Sequence, residues 1–245
     1  MQDAERVEQL RRSLDALRAR VTAACESAGR DPEGVRLVAV TKTFPASDAA
    51  LLSDLGVRHF AENKDQEAGA KVAEFTRLRP DADVRWHMVG RMQRNKARTV
   101  VRWADEVQSV DSPRLVNALE QAAARAREKG WRSRPLDVLV QVSLDEAPHR
   151  GGCSPAMLPE LVSNITRSDE MRFRGLMTVA PQGVDHDSAF ARFADIARWL
   201  REDYPNLVEL SAGMSGDLES AIAHGSTCVR VGTALLGGRE LASRE

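Results

Sequence analysis

The sequence predicts one closed (β/α)8 TIM barrel with an extra helix at its N-terminus. Three observations predict it. Eight strand-like segments, 36–42, 57–62, 84–89, 106–110, 136–143, 171–178, 207–211 and 227–231, are each followed by helix-like sequence. No linker rich in Gly, Ser or Pro divides them. The 245 residues (1–245) therefore read as a single domain, with the helix at about 4–28 and the barrel at about 35–240. The structural alternative, a doubly wound open sheet, carries a Gly-rich turn after its first strand. Here Thr41-Lys42-Thr43-Phe44-Pro45 stands in that place.

The opening helix follows from Val7, Leu10, Leu14, Leu17, Val21 and Ala24, which recur three and four apart with Arg and Glu between them. The stripe is short for a coiled-coil seam and is expected to dock on the domain's own core. The helix after Pro45 stops at Gly56. Ser112 as N-cap, with Pro113 at the first helical position, opens another, and Ser154-Pro155 repeats that device. The helix over 186–203 carries Phe190, Phe193, Ala197 and Leu200 on one face. After the seventh strand, Ser211-Ala212-Gly213-Met214-Ser215-Gly216-Asp217 leads into a helix that runs to His224, with Gly225 as its C′ residue.

Composition narrows the function. Hydrophobic content of 42% and charged content of 29% are ordinary for a globular domain. A net charge of −1 gives no general attraction to nucleic acid or an anionic membrane, and neither partner is expected. Arg91, Arg94, Lys96, Arg98 and Arg102 cluster locally and read as a solvated helix face rather than an anion-binding surface. Cys25, Cys153 and Cys228 are odd in number, as in a reducing compartment, and the start of the chain lacks an apolar leader. A cytoplasmic location is the expectation. The five histidines lack ligand spacing, so no metal is expected; His87, inside the third strand, reads equally as pocket-lining or as a hydrogen-bonded core residue. Asp145, Glu146, His149 and Arg150 form a polar loop expected at the barrel mouth.

The residue with the sharpest chemical meaning is Lys42. The chain has five lysines (Lys42, Lys64, Lys71, Lys96, Lys129) against thirty arginines. Where only a positive charge is needed, it usually has arginine. Lysine can lose its proton away from water and attack a carbonyl. Lys42 closes an apolar strand-like run, and barrels put functional groups at strand C-terminal ends. The loops after strands seven and eight, Ser211 to Asp217 and Val231-Gly232-Thr233-Ala234, stand where barrels commonly hold a phosphate. An amine at strand one and an anion cradle at strands seven and eight suit pyridoxal 5′-phosphate (PLP). Arg230 ends strand eight, either facing the pyridine nitrogen or in a surface ion pair. An arginine there only donates, which keeps that nitrogen unprotonated and the ring a weak electron sink.

From the first helix to Gly238 the chain resembles the pyridoxal phosphate homeostasis proteins, which share their barrel with the N-terminal domain of alanine racemase. The likeness rests on Ala39-Val40-Thr41-Lys42-Thr43, on Glu62-Asn63 with Gln66-Glu67, and on Trp86-His87-Met88-Val89-Gly90 with Gln93 and Asn95-Lys96. It continues through Val140-Gln141-Val142, Arg174-Gly175-Leu176-Met177, Leu210-Ser211 with Gly213-Met214-Ser215, and Val229 to Ala234. The resemblance implies that Lys42 forms the internal aldimine, a covalent bond to PLP. It implies that Ser211, Gly232 and Thr233 hold the phosphate, helped by Met214-Ser215. It sets Arg230 near the pyridine nitrogen and Asn63 beside the cofactor, with Met177 lining the pocket. Lys64 replaces the family's usual tyrosine and Arg94 a small polar residue. Lys64 reads as solvated surface.

Three functions fit these residues: a PLP carrier that buffers and delivers the cofactor, a PLP enzyme of the alanine-racemase type, or an aldolase using Lys42 on a sugar phosphate. Two-base racemisation needs a second proton carrier opposite the lysine. The one tyrosine, Tyr204, precedes strand seven and so belongs to the far rim. The carrier is therefore expected, as a monomer with no catalytic residues, with PLP-dependent apoenzymes as recipients.

Overall fold

The computed structural model describes residues 2–145 and 151–238. Its strands are β1 Arg36–Val40, β2 His59–Glu62, β3 Arg85–Met88, β4 Glu106–Val110, β5 Leu136–Gln141, β6 Met171–Met177, β7 Glu209–Ser211 and β8 Cys228–Val231. Each pairs in parallel with the next, and β8 pairs with β1, closing the barrel. The helices are α1 Gln2–Ser27, α2 Ala46–Asp54, α3 Asp65–Leu78, α4 Ala97–Val100, α5 Pro113–Glu128, α6 Leu158–Thr166, α7 His186–Arg201, α8 Leu218–Ala223 and α9 Thr233–Leu236. Among the described residues no helix is long and apolar enough to cross a membrane. Glu146, His149 and Arg150 of the expected mouth loop lie outside the described residues.

All eight strands stand where the sequence put them, with shorter ends for identifiable reasons. β1 stops at Val40 because Phe44 N–H bonds the Thr41 carbonyl at 3.0 Å and folds 41–44 into a turn. β2 starts late because Gly56, at φ 90°, ends α2 and Val57 N–H still bonds back to the Leu52 carbonyl. β5 is continued by Val142, which bridges Cys153. Ser112 and Ser154 stand at the expected N-caps, each followed by its proline. Neither side chain makes a capping bond. Their carbonyls take the first N–H groups instead, Leu115 and Val116 onto Ser112 and Met157 onto Ser154.

α1 does what its stripe predicts. Leu10, Leu14 and Leu17 are fully buried, each contributing about 1.5–3 kcal/mol. They pack with Leu218, Ile222, Leu235 and Leu236. α8 has six residues and α9 four, too short to cover the β7–β8–β1 seam, and the 26-residue α1 lies over it.

The inside of the barrel is unusual. Such interiors are commonly filled by Val, Ile and Leu. Here the apolar part includes a small cluster of Val38, Ala61 and Cys228 under Val40 and Val89, with Leu139 buried outside the larger clusters. Much of the remainder is polar. Ser211 of β7 bonds Gln108 of β4, and Arg36 of β1 approaches Glu106 of β4. Only the interior joins strands so far apart in the closed sheet. At the N-terminal end Asp137 takes both Arg85 and Arg172 at 2.6 Å. Glu209 takes Arg36 at 2.6 Å and Arg174 at 3.1 Å.

Candidate functional site: the C-terminal rim at the β1–β8 seam

Lys42 is exposed in the turn just past β1. Its neighbour Thr43 has φ 68°, the one non-glycine with positive φ among the described residues. Such a conformation costs on the order of 1–3 kcal/mol and persists where surrounding structure enforces it. The turn is closed by the Phe44 N–H on the Thr41 carbonyl, and Lys71 anchors that same carbonyl. The buried Lys71 ammonium bonds the Thr41 carbonyl and Glu62 Oε1, each at 2.6 Å, and the Thr41 hydroxyl donates to the same carboxylate oxygen at 2.6 Å. Lys71 was not singled out from the sequence. The available signal was its membership of the five lysines.

The two loops read as a cradle lie on the same rim, beside that turn. Ala39 of β1 is in register with Val231 of β8, so Gly232 abuts the β1 end. A Cβ at Gly232 would sit 3.2 Å from the Val40 carbonyl oxygen. Gly213, at φ 95°, has no room for a Cβ either, since it would come within 2.8 Å of the Ala221 Cβ. The loops touch each other: Ala234 N–H donates to Ser215 Oγ at 3.3 Å. Arg20 of α1 donates to the Ser215 carbonyl from behind, and Asp217 accepts the Met214 N–H at 2.5 Å. Met214 and Thr233 face solvent. The result is a pair of touching small-residue turns with an exposed threonine, next to a lysine that has no ion pair among the described residues. A phosphorylated aldehyde matches that donor set.

Ser211 and Arg230 lie deeper. Arg230 is buried and donates to Ser211 Oγ at 2.6 Å and to the Thr178 carbonyl at 2.8 Å. Burial pulls its pKa below the ordinary arginine value, against the pull of Cys228 and Asp217. The Ser211 proton goes to Gln108 Oε1 at 2.7 Å, and Gln108 Nε2 donates to Glu106 Oε1 at 2.8 Å. His87 Nδ1 meets the same Glu106 oxygen at 3.0 Å, and His87 Nε2 meets His59 Nδ1 at 3.0 Å. Burial pushes Glu106 up, but His87, Arg36 and Gln108 outweigh it and hold its carboxyl below the usual range. Burial, then His87, Arg36 and Arg85, push His59 down to about 3. A donor chain thus runs from Arg230 to one buried carboxylate.

Ser211 Oγ is therefore turned inward to Gln108 and Arg230. Arg230 makes the interior contacts above and has no ion pair among the described residues. His87 is a fully buried core residue. Met177, buried at the end of β6, is in register with Ser211. Asn63 is exposed past β2, and its carbonyl lies so close to Gly90 that a Cβ there would come within 2.0 Å. Lys64 is exposed, 3.4 Å from Glu67. Tyr204 packs edge-on against Phe173, between α7 and β7 on the far rim. The three cysteines are buried and unpaired, and no group of His, Cys, Asp and Glu among the described residues is arranged for a metal.

The chain is similar to known proteins in sequence and in fold. A family model described as alanine racemase, N-terminal domain, matches residues 13–240. The pyridoxal phosphate homeostasis protein of Mycobacterium bovis is 46% identical over 248 residues, covering 98% of this chain and 96% of that protein. The protein of the same name from Escherichia coli K12 is 35% identical over 240 residues, covering 95% and 97%. The solved structure of PipY from Synechococcus elongatus PCC7942, with PLP bound, has a TM-score of 0.77 at 36% identity. It covers 93% of this chain and 100% of that one.

Proposed function

The chain belongs to the alanine racemase N-terminal domain family, with pyridoxal phosphate homeostasis proteins as full-length relatives, and on that premise we propose that it is a cytoplasmic PLP carrier. Lys42 holds the cofactor covalently. Its amine condenses with the aldehyde, one water leaves, and a C=N bond joins the two. When bound, PLP supplies a reactive carbonyl and a conjugated ring. The Gly232-Thr233 and Met214-Ser215 turns receive the phosphate, with Asn63 and Met177 bordering the ring. Ser211 acts through Arg230, which presents a fixed donor to the ring nitrogen. PLP-dependent apoenzymes receive the cofactor.

One observation carries this reading: the Lys42 turn abuts the Gly232 turn across the β1–β8 register. The carrier role, rather than an enzyme's, is supported by a ring-nitrogen partner that only donates and by the distance of Tyr204 from the rim. The test is a visible spectrum of protein purified without added cofactor, before and after borohydride, with the labelled peptide mapped. Yellow protein labelled at Lys42 is expected. Colourless protein that takes no label when PLP is added ends the proposal. Amino-acid racemisation well above free PLP would transfer the argument to the alanine-racemase-like alternative.

A further inference from the structure

A cavity of about 1140 Å³ opens on the same rim, over the loops after β2, β3 and β4. Lys64, Arg91, Arg94, Lys96 and Arg114 line it. Lys64 has a loose exposed partner in Glu67. The other four make no ion pair or side-chain hydrogen bond among the described residues. Two carboxylates also line it, too few to neutralise five cations: Asp65 accepts Trp103 Nε1 at 3.0 Å and Thr99 Oγ1 at 2.5 Å, and Asp111 accepts the Gly152 N–H at 3.4 Å. The whole chain carries a net charge of −1, so this is local concentration rather than general basicity. At the N-terminal end of the same barrel Arg36, Arg85, Arg172 and Arg174 each have a carboxylate. Five cations around one concavity repel one another, and low-dielectric walls focus their field on an anion entering it.

We propose that this cavity is a second binding site, for a small organic polyanion carrying two or more phosphate groups. Its volume is of the order of a small-molecule pocket. Arginine forks match phosphate oxygens in pairs. The amides of Gln93 and Asn95 and the hydroxyl of Ser112, which makes no capping bond, also line it and add neutral donors. The site does not depend on the carrier reading. It shares Asn63 with the proposed cofactor seat, by which an occupant would bias PLP binding, and PLP would bias the occupant equally.

The test is calorimetric titration with inorganic pyrophosphate, with inorganic phosphate and a glutamate-rich peptide as parallel probes. One pyrophosphate per chain is expected, bound at least tenfold more tightly than phosphate and weakening as salt rises. Arg94→Ala with Lys96→Ala is expected to lower that affinity at least tenfold while leaving borohydride labelling at Lys42 intact. Arg91→Gln, at an exposed position, repeats the test should the double variant lose its circular dichroism. No binding at millimolar pyrophosphate, or equal affinity in wild type and variants, overturns the site. Binding abolished by Lys42→Ala but kept in the double variant assigns the pyrophosphate to the cofactor seat and also overturns it. A peptide that binds more tightly than pyrophosphate through the same residues replaces the small ligand with a protein partner.

Discussion

The two ends of the barrel treat positive charge in opposite ways. At the N-terminal end Arg36, Arg85, Arg172 and Arg174 share Asp137 and Glu209, two arginines to each carboxylate. At the C-terminal rim Lys42, Arg91, Arg94, Lys96 and Arg114 have no ion pair among the described residues. The chain has 36 acidic residues to answer 35 basic ones, so the difference is one of placement. Charges that neutralise each other serve the fold. Charges left facing a shared opening serve whatever enters it. Lys71 marks the boundary: it belongs to the rim in position and to the fold in its bonding.

That boundary gives the largest expected effect. Lys71→Met leaves Glu62 fully buried without its cation, and loss of about 3–5 kcal/mol is expected in urea denaturation. A cost under about 1 kcal/mol would remove Lys71 from the fold's side of the comparison. Asp137→Ala is expected to cost somewhat less, about 2–3 kcal/mol, because Arg85 and Arg172 are partly exposed and rehydrate. Thr233→Ala should weaken PLP retention by about 1 kcal/mol or somewhat more, a fivefold to tenfold shift read by dialysis against apoenzyme. Arg94→Ala should change stability by less than about 0.5 kcal/mol, since it breaks no pair.

Acid sharpens the contrast. His59 is neutral in the fold, with a pKa of about 3, whereas an unfolded histidine takes a proton below about 6.5. Its contribution is complete above that value and is lost as pH falls from there toward 3. Glu106, depressed in the fold, contributes above the unfolded carboxyl value and loses its share as pH falls through its own lower one. Both signs agree but the windows differ: His59 makes the unfolding free energy from urea denaturation fall between pH 6.5 and 5, by at most about 1.4 kcal/mol per pH unit, and Glu106 adds its loss only below about 4.5. His59→Asn should flatten the upper part of that curve. A midpoint independent of pH would mean the polar interior contributes nothing.

What the sequence made legible was the part written locally. Strand period, Gly56, Pro113 and the stripe on α1 lie in short windows, and each predicted element is present. Lys42 stood out because the chain is poor in lysine. The resemblance supplied roles for Asn63, Met177, Ser211 and Arg230 that no spacing could. The hidden part is long-range. Ser211 and Gln108 are 103 residues apart, and Lys71 reaches Thr41 across thirty. Nothing near Ser211 says that its hydroxyl faces the axis. The strand ends were overextended because turn bonds, not side-chain pattern, cut them.

Gln108 passes hydrogen bonds in one direction, taking a proton on its oxygen and giving one from its nitrogen. A carboxylate in its place has nothing to give. A methionine neither takes nor gives with strength. A lysine has nothing to take with. Among side chains of that reach, an amide alone keeps both links, so the aim of an arginine four strands away around the barrel rests on the uncharged end group of a single glutamine.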